Sequence, residues 1–326
     1  MAFTPWFGTG LETGSVAVFD TVVQAETYTT YVKTGTYSLR TYSGSSITGY
    51  ARVDVVDHAS ALVDVGAYVR PDSGSNANRT RVQAYLDDGT YLDIRLNTDF
   101  KWDAYVNNVL VASGSQVVAV DTWHNIQVRF YADDAGYIKT RVDGVDDIDY
   151  SGDTKPSTST TFDYVNLFLS TANQDVLWDD ITIGTGDWPG DIRYDLLVPD
   201  GDDSVEWTPS TGVDNYALVD EVPPSDVDYV SSGSSGEIDR YTLGDWSGGA
   251  KTPQFLVAWV RAKKDIAGTR QLSHGLRSGG SEDLAGAYDL TTDFDYYYHL
   301  VTDDPDGGGS LDNTVINALK FVLEAA

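Results

Sequence analysis

The chain has 326 residues, no cysteine, and 50 acidic against 21 basic residues, for a net charge of −29. This length allows two domains with sizeable cores, and the missing cysteine excludes a disulfide framework or a thiolate metal site. The charge makes DNA, RNA and anionic membrane surfaces poor ligands, because a polyphosphate needs clustered Lys and Arg to release its counterions.

Both halves carry the acidic excess, only seven of the acids are Glu, and 12% of the residues are aromatic. Such a composition describes a folded protein with a carpet of short carboxylates, not a disordered acidic tail. Screening in strong salt would suppress the self-repulsion of that surface, so a halophilic setting is expected, with a merely acidic marine or extracellular protein as the alternative. Met1 to Trp6 lacks a basic segment followed by an apolar run, and no stretch reaches the length of a membrane span. No signal peptide is therefore expected; release inside a virus particle would meet that condition.

Period-two alternation dominates the first half. Val63, Val65, Ala67 and Val69 share one face, as do Leu92, Ile94 and Leu96, and again His124, Ile126, Val128 and Phe130. Tyr137 to Val142 follows the turn Asp133-Asp134-Ala135-Gly136, and further turn signals stand at Asp87-Asp88-Gly89, Val106-Asn107-Asn108 and Asp143-Gly144. The pattern predicts an all-β jelly-roll sandwich over residues 1–186. Gly184 to Asp191 reads as a linker. Residues 187–326 read as a second, mainly β domain, in which Phe255 to Ala262 and Arg270 to Arg277 could pair as strands. Asp312 to Leu323 places Val315, Ile316, Leu319 and Val322 on one face of a short C-terminal helix capped by Asp312 or Asn313. The one basic run, Arg261-Ala262-Lys263-Lys264, suits a solvated strand end or a contact with an acidic neighbouring subunit.

Several segments carry a resemblance. Leu11-Glu12-Thr13-Gly14, Gly35-Thr36-Tyr37-Ser38-Leu39-Arg40, Asp121 to Val128, Thr140-Arg141-Val142-Asp143-Gly144 and Leu177-Trp178-Asp179-Asp180-Ile181-Thr182-Ile183 occur in this order. Residues about 10–186 thereby resemble the concanavalin-like, laminin-G-type jelly rolls. Trp188-Pro189-Gly190-Asp191, Val198 to Asp202, Trp207-Thr208-Pro209-Ser210 and Asp220 to Asp226 resemble the domain that follows such a jelly roll in virion structural proteins of tailed viruses. The terminal Lys320-Phe321-Val322-Leu323 departs from that pattern, which more usually closes with glycine.

Chemistry has little support at the level of motifs. A Glu-x-Asp-x-Glu strand, which would set two carboxyl groups on one face for glycoside hydrolysis, is absent. Asp179-Asp180 and Asp146-Asp147 are adjacent pairs expected to point to opposite faces, one acid at the surface and one fixing a turn. There is no Gly-x-Ser-x-Gly elbow, and His58, His124, His274 and His299 have no metal-ligand spacing. Gly248-Gly249-Ala250-Lys251-Thr252 lacks the first glycine of a phosphate loop.

Calcium or another structural cation is weighed at Asp143, Asp146, Asp147 and Asp149, at Asp200, Asp202 and Asp203, and at Asp303, Asp304 and Asp306; no cluster follows an EF-hand pattern. A carbohydrate site is weighed at Trp102, Tyr105 and Asn107, where a flat ring could stack on a sugar, against the alternative that the rings belong to the core. Tyr296-Tyr297-Tyr298 puts rings on both strand faces and suits a subunit interface, and Asn78-Arg79-Thr80 is a glycosylation acceptor sequence.

The resemblance implies a non-enzymatic structural surface component of a tailed virus particle, such as a turret or spike, head decoration or tail fibre, without catalytic residues or a required cofactor. Its partners would be copies of itself, other virion proteins and a host surface glycan or glycoprotein, with no nucleic acid and no membrane, and its location the virion. The alternatives are a calcium-dependent glycan-binding module and a glycoside hydrolase.

Overall fold

The structure, a computed structural model, describes residues 2–43, 48–72, 79–155, 157–170, 174–212, 214–249 and 251–326. Asn78 lies outside the described residues. The chain divides into two compact units, Met1–Tyr194 and Asp195–Ala326. The fold is all-β: among the described residues almost every regular element is a strand, and the one α-helix is a single turn.

The first unit contains β1 (Thr4–Thr9), β2 (Thr21–Val23), β3 (Ala25–Tyr28), β4 (Ser38–Tyr42), β5 (Gly49–Asp54), β6 (Leu62–Pro71), β7 (Thr80–Leu86) and β8 (Tyr91–Leu96). It continues with β9 (Trp102–Val106), β10 (Val109–Ser113), β11 (His124–Tyr131), β12 (Gly136–Val142), β13 (Val145–Gly152), β14 (Phe162–Leu169) and β15 (Asp175–Thr185). One antiparallel sheet runs β13-β12-β11-β6-β15-β4-β3, with β1 added on β15; the second runs β10-β9-β8-β7-β14-β5-β2. This is the jelly-roll sandwich that the alternation predicts. Val63, Val65, Ala67 and Val69 of β6 are buried with Ile126, Val128 and Phe130 of β11, as are Leu92, Ile94 and Leu96 of β8 in the opposite sheet. Removing these faces from water drives the two sheets together, at roughly 25 cal/mol for each Å² of apolar surface buried.

The residues after β15, expected to be a linker, instead fold back over the outward face of the first sheet. Pro189 lies on Gly66, where an added Cβ would come within 3.0 Å of the proline ring. The Gly190 N–H donates to Gln127 Oε1 at 3.0 Å, Tyr68 donates its hydroxyl to Asp191, and Tyr68 accepts from Arg193 at 2.9 Å. The Trp188 ring receives the Arg141 guanidinium at 4.2 Å, and the Tyr194 hydroxyl pairs with Thr182 Oγ1 at 2.8 Å. Side-chain packing thus holds a segment whose Gly-Pro composition signals only a turn.

Asp179 and Asp180 are both buried, correcting the expectation of one surface acid. The ladder between β15 and β6 slips between Asp179 and Thr182, and Asp180 takes a left-handed φ of 48°, so the simple alternation of faces fails there. The backbone N–H groups of Lys33 and Thr34 close over Asp179, and those of Thr36 and Tyr37 over the Glu12 carboxylate. Gly35, at φ +62°, sits where a Cβ would lie 2.1 Å from Glu12 Oε1. Gly35→Ala is accordingly expected to cost about 2–3 kcal/mol through backbone strain and the displaced carboxylate. Thermal melting checks this, and an unchanged midpoint would remove the proposed close packing.

The second unit contains β16 (Pro199–Ser204), β17 (Thr208–Pro209), β18 (Val230–Ser231), β19 (Ile238–Leu243), β20 (Leu256–Ala262), β21 (Gln271–Ser278), β22 (Ser281–Leu284), β23 (Tyr288–Asp289), β24 (Asp295–Val301), α1 (Asn313–Ile316) and β25 (Lys320–Ala325). Its main sheet runs β16-β19-β25-β21-β22, with β23 on β21; β17 pairs β18, and β20 pairs β24. The two strands read at 255–262 and 270–277 exist but do not pair. β21 is flanked by β25 on one side and by β22 and β23 on the other, which leaves β20 to pair with β24. The C-terminal helix is shorter than expected. Asp312 caps it, accepting from the Thr314 and Val315 N–H groups, but Lys320–Ala325 becomes a central strand between β19 and β21. Two backbone ladders, with Leu323 packed beside Tyr241 and Leu272, outweigh the helical spacing.

Candidate functional site

The second sheet of the first unit turns an ordered array of polar and aromatic side chains outward. Inward residues of β7 are Val82, Ala84 and Leu86, so Arg81, Gln83 and Tyr85 must face out; on β8, Leu92, Ile94 and Leu96 leave Tyr91, Asp93 and Arg95. Strand register then builds three rows across the face. One row is Tyr50, Phe168, Arg81, Arg95 and Asp103; the next is Arg52, Asn166, Gln83, Asp93 and Tyr105; the third is Asp54, Tyr164, Tyr85 and Tyr91.

Gln83 is the centre of this array. It is only 2% exposed, Asp93 0% and Asn166 7%, so large polar groups are buried among one another. Asp93 accepts from Arg95 through both oxygens, at 2.7 and 3.2 Å, and Arg95 also donates to Asn108 Oδ1 at 2.8 Å. Burial raises the Asp93 carboxyl, with Arg95 and Arg81 opposing that shift. Gln83 Oε1 and Asn166 Oδ1 are buried without a hydrogen-bond partner. A buried amide oxygen left without a donor costs about 1–3 kcal/mol, so the two are acceptors that the fold leaves unsatisfied at the centre of the array.

Aromatic rings line the array. Tyr85 lies between Tyr164 and Tyr91, with ring centroids 4.6 and 4.8 Å away. The Arg52 guanidinium stands 3.7 Å from the Tyr164 ring, and that of Arg95 3.9 Å from Tyr105. Burial, then the neighbouring Tyr164 and Tyr91, pushes the Tyr85 phenol up to about 12. At neutral pH it is held as a proton donor in a partly exposed position.

Of the sugar-site residues expected from the sequence, Tyr105 and Asn107 are at this face or its edge, and Trp102 is not. Trp102 is fully buried between the sheets, which corrects its reading as a stacking platform: it alternates with Asp103 and Tyr105 and therefore points into the core. Tyr105 faces out beneath Arg95, and Asn107 lies in the β9–β10 turn at φ 44°. Gln83, Asn166, Arg81 and Tyr85 carry no motif; their one sequence signal is that they occupy the alternate positions of strands recognised by their apolar faces.

The aspartates weighed for calcium serve protein donors. Asp143 holds His124 Nδ1 at 2.6 Å and the Asn125 N–H at 2.9 Å, while Asp146 pairs with Arg141 at 2.6 Å. In the second unit Asp200 accepts from Thr242 at 2.6 Å, and Asp202 accepts the Asn215 and Tyr216 N–H groups at 3.1 and 2.7 Å. Among the described residues no group of three or more His, Cys, Asp or Glu is arranged to hold a metal ion.

A cleft of about 250 Å³ lies on the first sheet, lined by Tyr28, Tyr31, Arg40, Arg70, Asp121 and Asp175 among others. Its guanidiniums are held by carboxylates, Arg40 by Glu26 and Asp175 and Arg70 by Asp121. The array on the second sheet is chemically the richer of the two, since it combines buried acceptors without donors, guanidinium groups and phenols.

No family model matches the chain, and no curated protein matches it. Solved structures do. An endo-β-1,4-glucuronan lyase from the fungus Trichoderma reesei is similar at 17% identity and TM-score 0.43, over 56% of this chain and 96% of that one. An alginate lyase from Aplysia kurodai is similar at 10% identity and TM-score 0.41, over 56% of this chain and 100% of that one. A carbohydrate esterase from the Shiga toxin-encoding bacteriophage phi24B is similar at 13% identity and TM-score 0.43, over 57% of this chain and 100% of that one. At these identities the likeness is one of fold. The matched structures are named as carbohydrate-active enzymes, which runs against the expectation of a non-enzymatic structural component; that expectation is corrected and not carried forward.

Proposed function

We propose that this chain is a carbohydrate-processing protein, and that the outward face of β7, β8 and β14 holds a polysaccharide during the reaction. The observation that carries the reading is the pair of buried amide oxygens without donors, Gln83 Oε1 and Asn166 Oδ1, set one row from the Tyr85 phenol. Sugar hydroxyls are the donors these acceptors lack, and the surrounding tyrosine rings offer apolar faces to pyranose C–H groups. Tyr85, kept protonated, delivers its proton to the departing glycosidic oxygen as that C–O bond breaks, while a water molecule forms the new C–O bond at the vacated carbon and the proton it releases returns to the phenolate.

Reducing-end release from a panel of polysaccharides tests the reaction. Tyr85→Phe keeps the ring packing and is expected to lower cleavage by about 10²-fold or more, the usual worth of a general acid, with binding nearly unchanged. Gln83→Ala is expected to weaken binding instead. Full activity in Tyr85→Phe would sink the assignment of the proton donor, and a wild-type protein that neither binds nor cleaves any member of the panel would sink the reading as a whole.

The resemblance to tailed-virus components supports placing this activity on a virus particle, where it would meet host surface glycans and assemble with further copies of the chain and other virion proteins. Mass spectrometry of purified particles tests that placement, which fails if the chain is absent from them.

A further inference from the structure

The face contains a pairing that sheets ordinarily avoid. Arg81 on β7 lies directly opposite Arg95 on β8, and like charges facing each other across a ladder are destabilising. Asp93 sits one row away and is drawn onto Arg95 by two hydrogen bonds, with Asn108 taking a further donor of the same guanidinium. The Arg81 guanidinium stands 5.2 Å from the Phe168 ring. Burial and the Arg95 charge lower its pKa, against the opposing pull of Asp93. The direct opposition of Arg81 and Arg95 thus favours added negative charge between them, in a chain whose net charge is −29.

We infer that the sugar held on this face is anionic, carrying a carboxylate or sulfate that bridges toward Arg81 and Arg95 while its hydroxyls donate to Gln83 and Asn166. The inference rests on the proposed sugar-binding role of the face and adds the charge of the substrate to it. A planar guanidinium gives two parallel N–H donors, which match two oxygens of either group. The anion relieves the Arg81–Arg95 repulsion, so its contribution comes from a conflict already built into the sheet. A neutral sugar satisfies the two amides but leaves that conflict in place. The buried amides and the opposed arginines therefore read different parts of one ligand.

The test compares matched polymers by calorimetric titration of the full chain. Polyglucuronate is set against its carboxyl-reduced form, and dextran sulfate against dextran. At least one charged member is expected to bind at least tenfold more tightly than its neutral counterpart, and the arm that shows the preference identifies carboxylate or sulfate. Arg81→Gln is expected to abolish the preference, and Arg81→Lys to restore part of it. Thermal melting of each variant confirms that the sheet is intact.

Equal affinity of wild-type protein for charged and neutral members, or a preference that survives Arg81→Gln, would overturn the anionic inference and leave the sugar-binding reading standing. Loss of binding to neutral and charged polymers alike in Gln83→Ala, with wild-type binding present, supports the sugar-binding reading by itself. Absence of wild-type binding to all four polymers would overturn both.

Discussion

Asp180→Asn is expected to stabilise the first unit at about pH 8 and to leave it nearly unchanged at about pH 4. Burial pushes the Asp180 carboxyl up to about 6, and burial together with the Asp180 charge pushes Asp179 up to about 8. Both folded-state values lie above the ordinary carboxylate range, so the folded protein binds more protons than the unfolded chain. The stability that follows is complete below about pH 4 and is lost as pH rises through about 6 for Asp180 and about 8 for Asp179. Asp64, pushed up to about 7 by burial against the opposing pull of Arg129, adds a decline of the same sign.

Asparagine suits this position. Its Oδ1 can keep the Tyr194 N–H at 2.9 Å and the Thr34 hydroxyl at 2.8 Å, and Asn tolerates the left-handed φ of 48°. It replaces Asp180 Oδ2, a buried atom without a partner, by an uncharged amide nitrogen. A displacement of roughly two pKa units corresponds to about 3 kcal/mol at pH 8, or a rise of about 6–12 °C in the melting point of a unit this size. Melting curves across the pH range check it. A variant that melts below wild type at about pH 8, or whose advantage is the same at both ends of the range, would refute the account.

Salt is expected to have an equally large effect. Acids outnumber bases by 29, and many of the basic side chains are already committed to ion pairs, such as Arg40 with Glu26 and Asp175 or Lys320 with Asp203. The remaining carboxylates repel one another over distances that screening shortens from about 10 Å at 0.1 M salt to about 3 Å at 1 M. Moving from low to high salt should raise the melting temperature by about 10 °C or more, equivalent to roughly 3–5 kcal/mol for domains of this size. Sodium chloride titration followed by circular dichroism measures it. A flat melting point would remove the halophilic expectation, and with it the reading of the charge as an adaptation to the medium.

The site and the core were written in the same strands, yet only the core was legible. In Arg81-Val82-Gln83-Ala84-Tyr85-Leu86 and Tyr91-Leu92-Asp93-Ile94-Arg95-Leu96 the apolar alternation announces a buried face, while the intervening residues look like an ordinary solvated one. Their value arises from register: pairing β7 with β14 and β8 puts Gln83 between Asn166 and Asp93 and sets Arg81 against Arg95. Those partners are separated in sequence by 10 to 83 positions, and no local pattern encodes their meeting. Trp102 shows the reverse failure. An aromatic beside a turn suggested a platform for sugar, but the parity that puts Tyr105 outward sends Trp102 inward.

By itself the sequence determined the all-β class, the alternating core of the first unit and a helix start capped at Asp312 or Asn313, between which the structure selects Asp312, because period-two burial and local capping depend on near neighbours along the chain. Only the tertiary structure decided that Gly184 to Asp191 continues into a packed segment, that Asp179 and Asp180 are buried together, that Lys320–Ala325 is a strand, and that a polar array faces outward from the second sheet. Each of these depends on partners brought together by strand order and register, where long-range ladders and packing override what a short stretch of residues prefers.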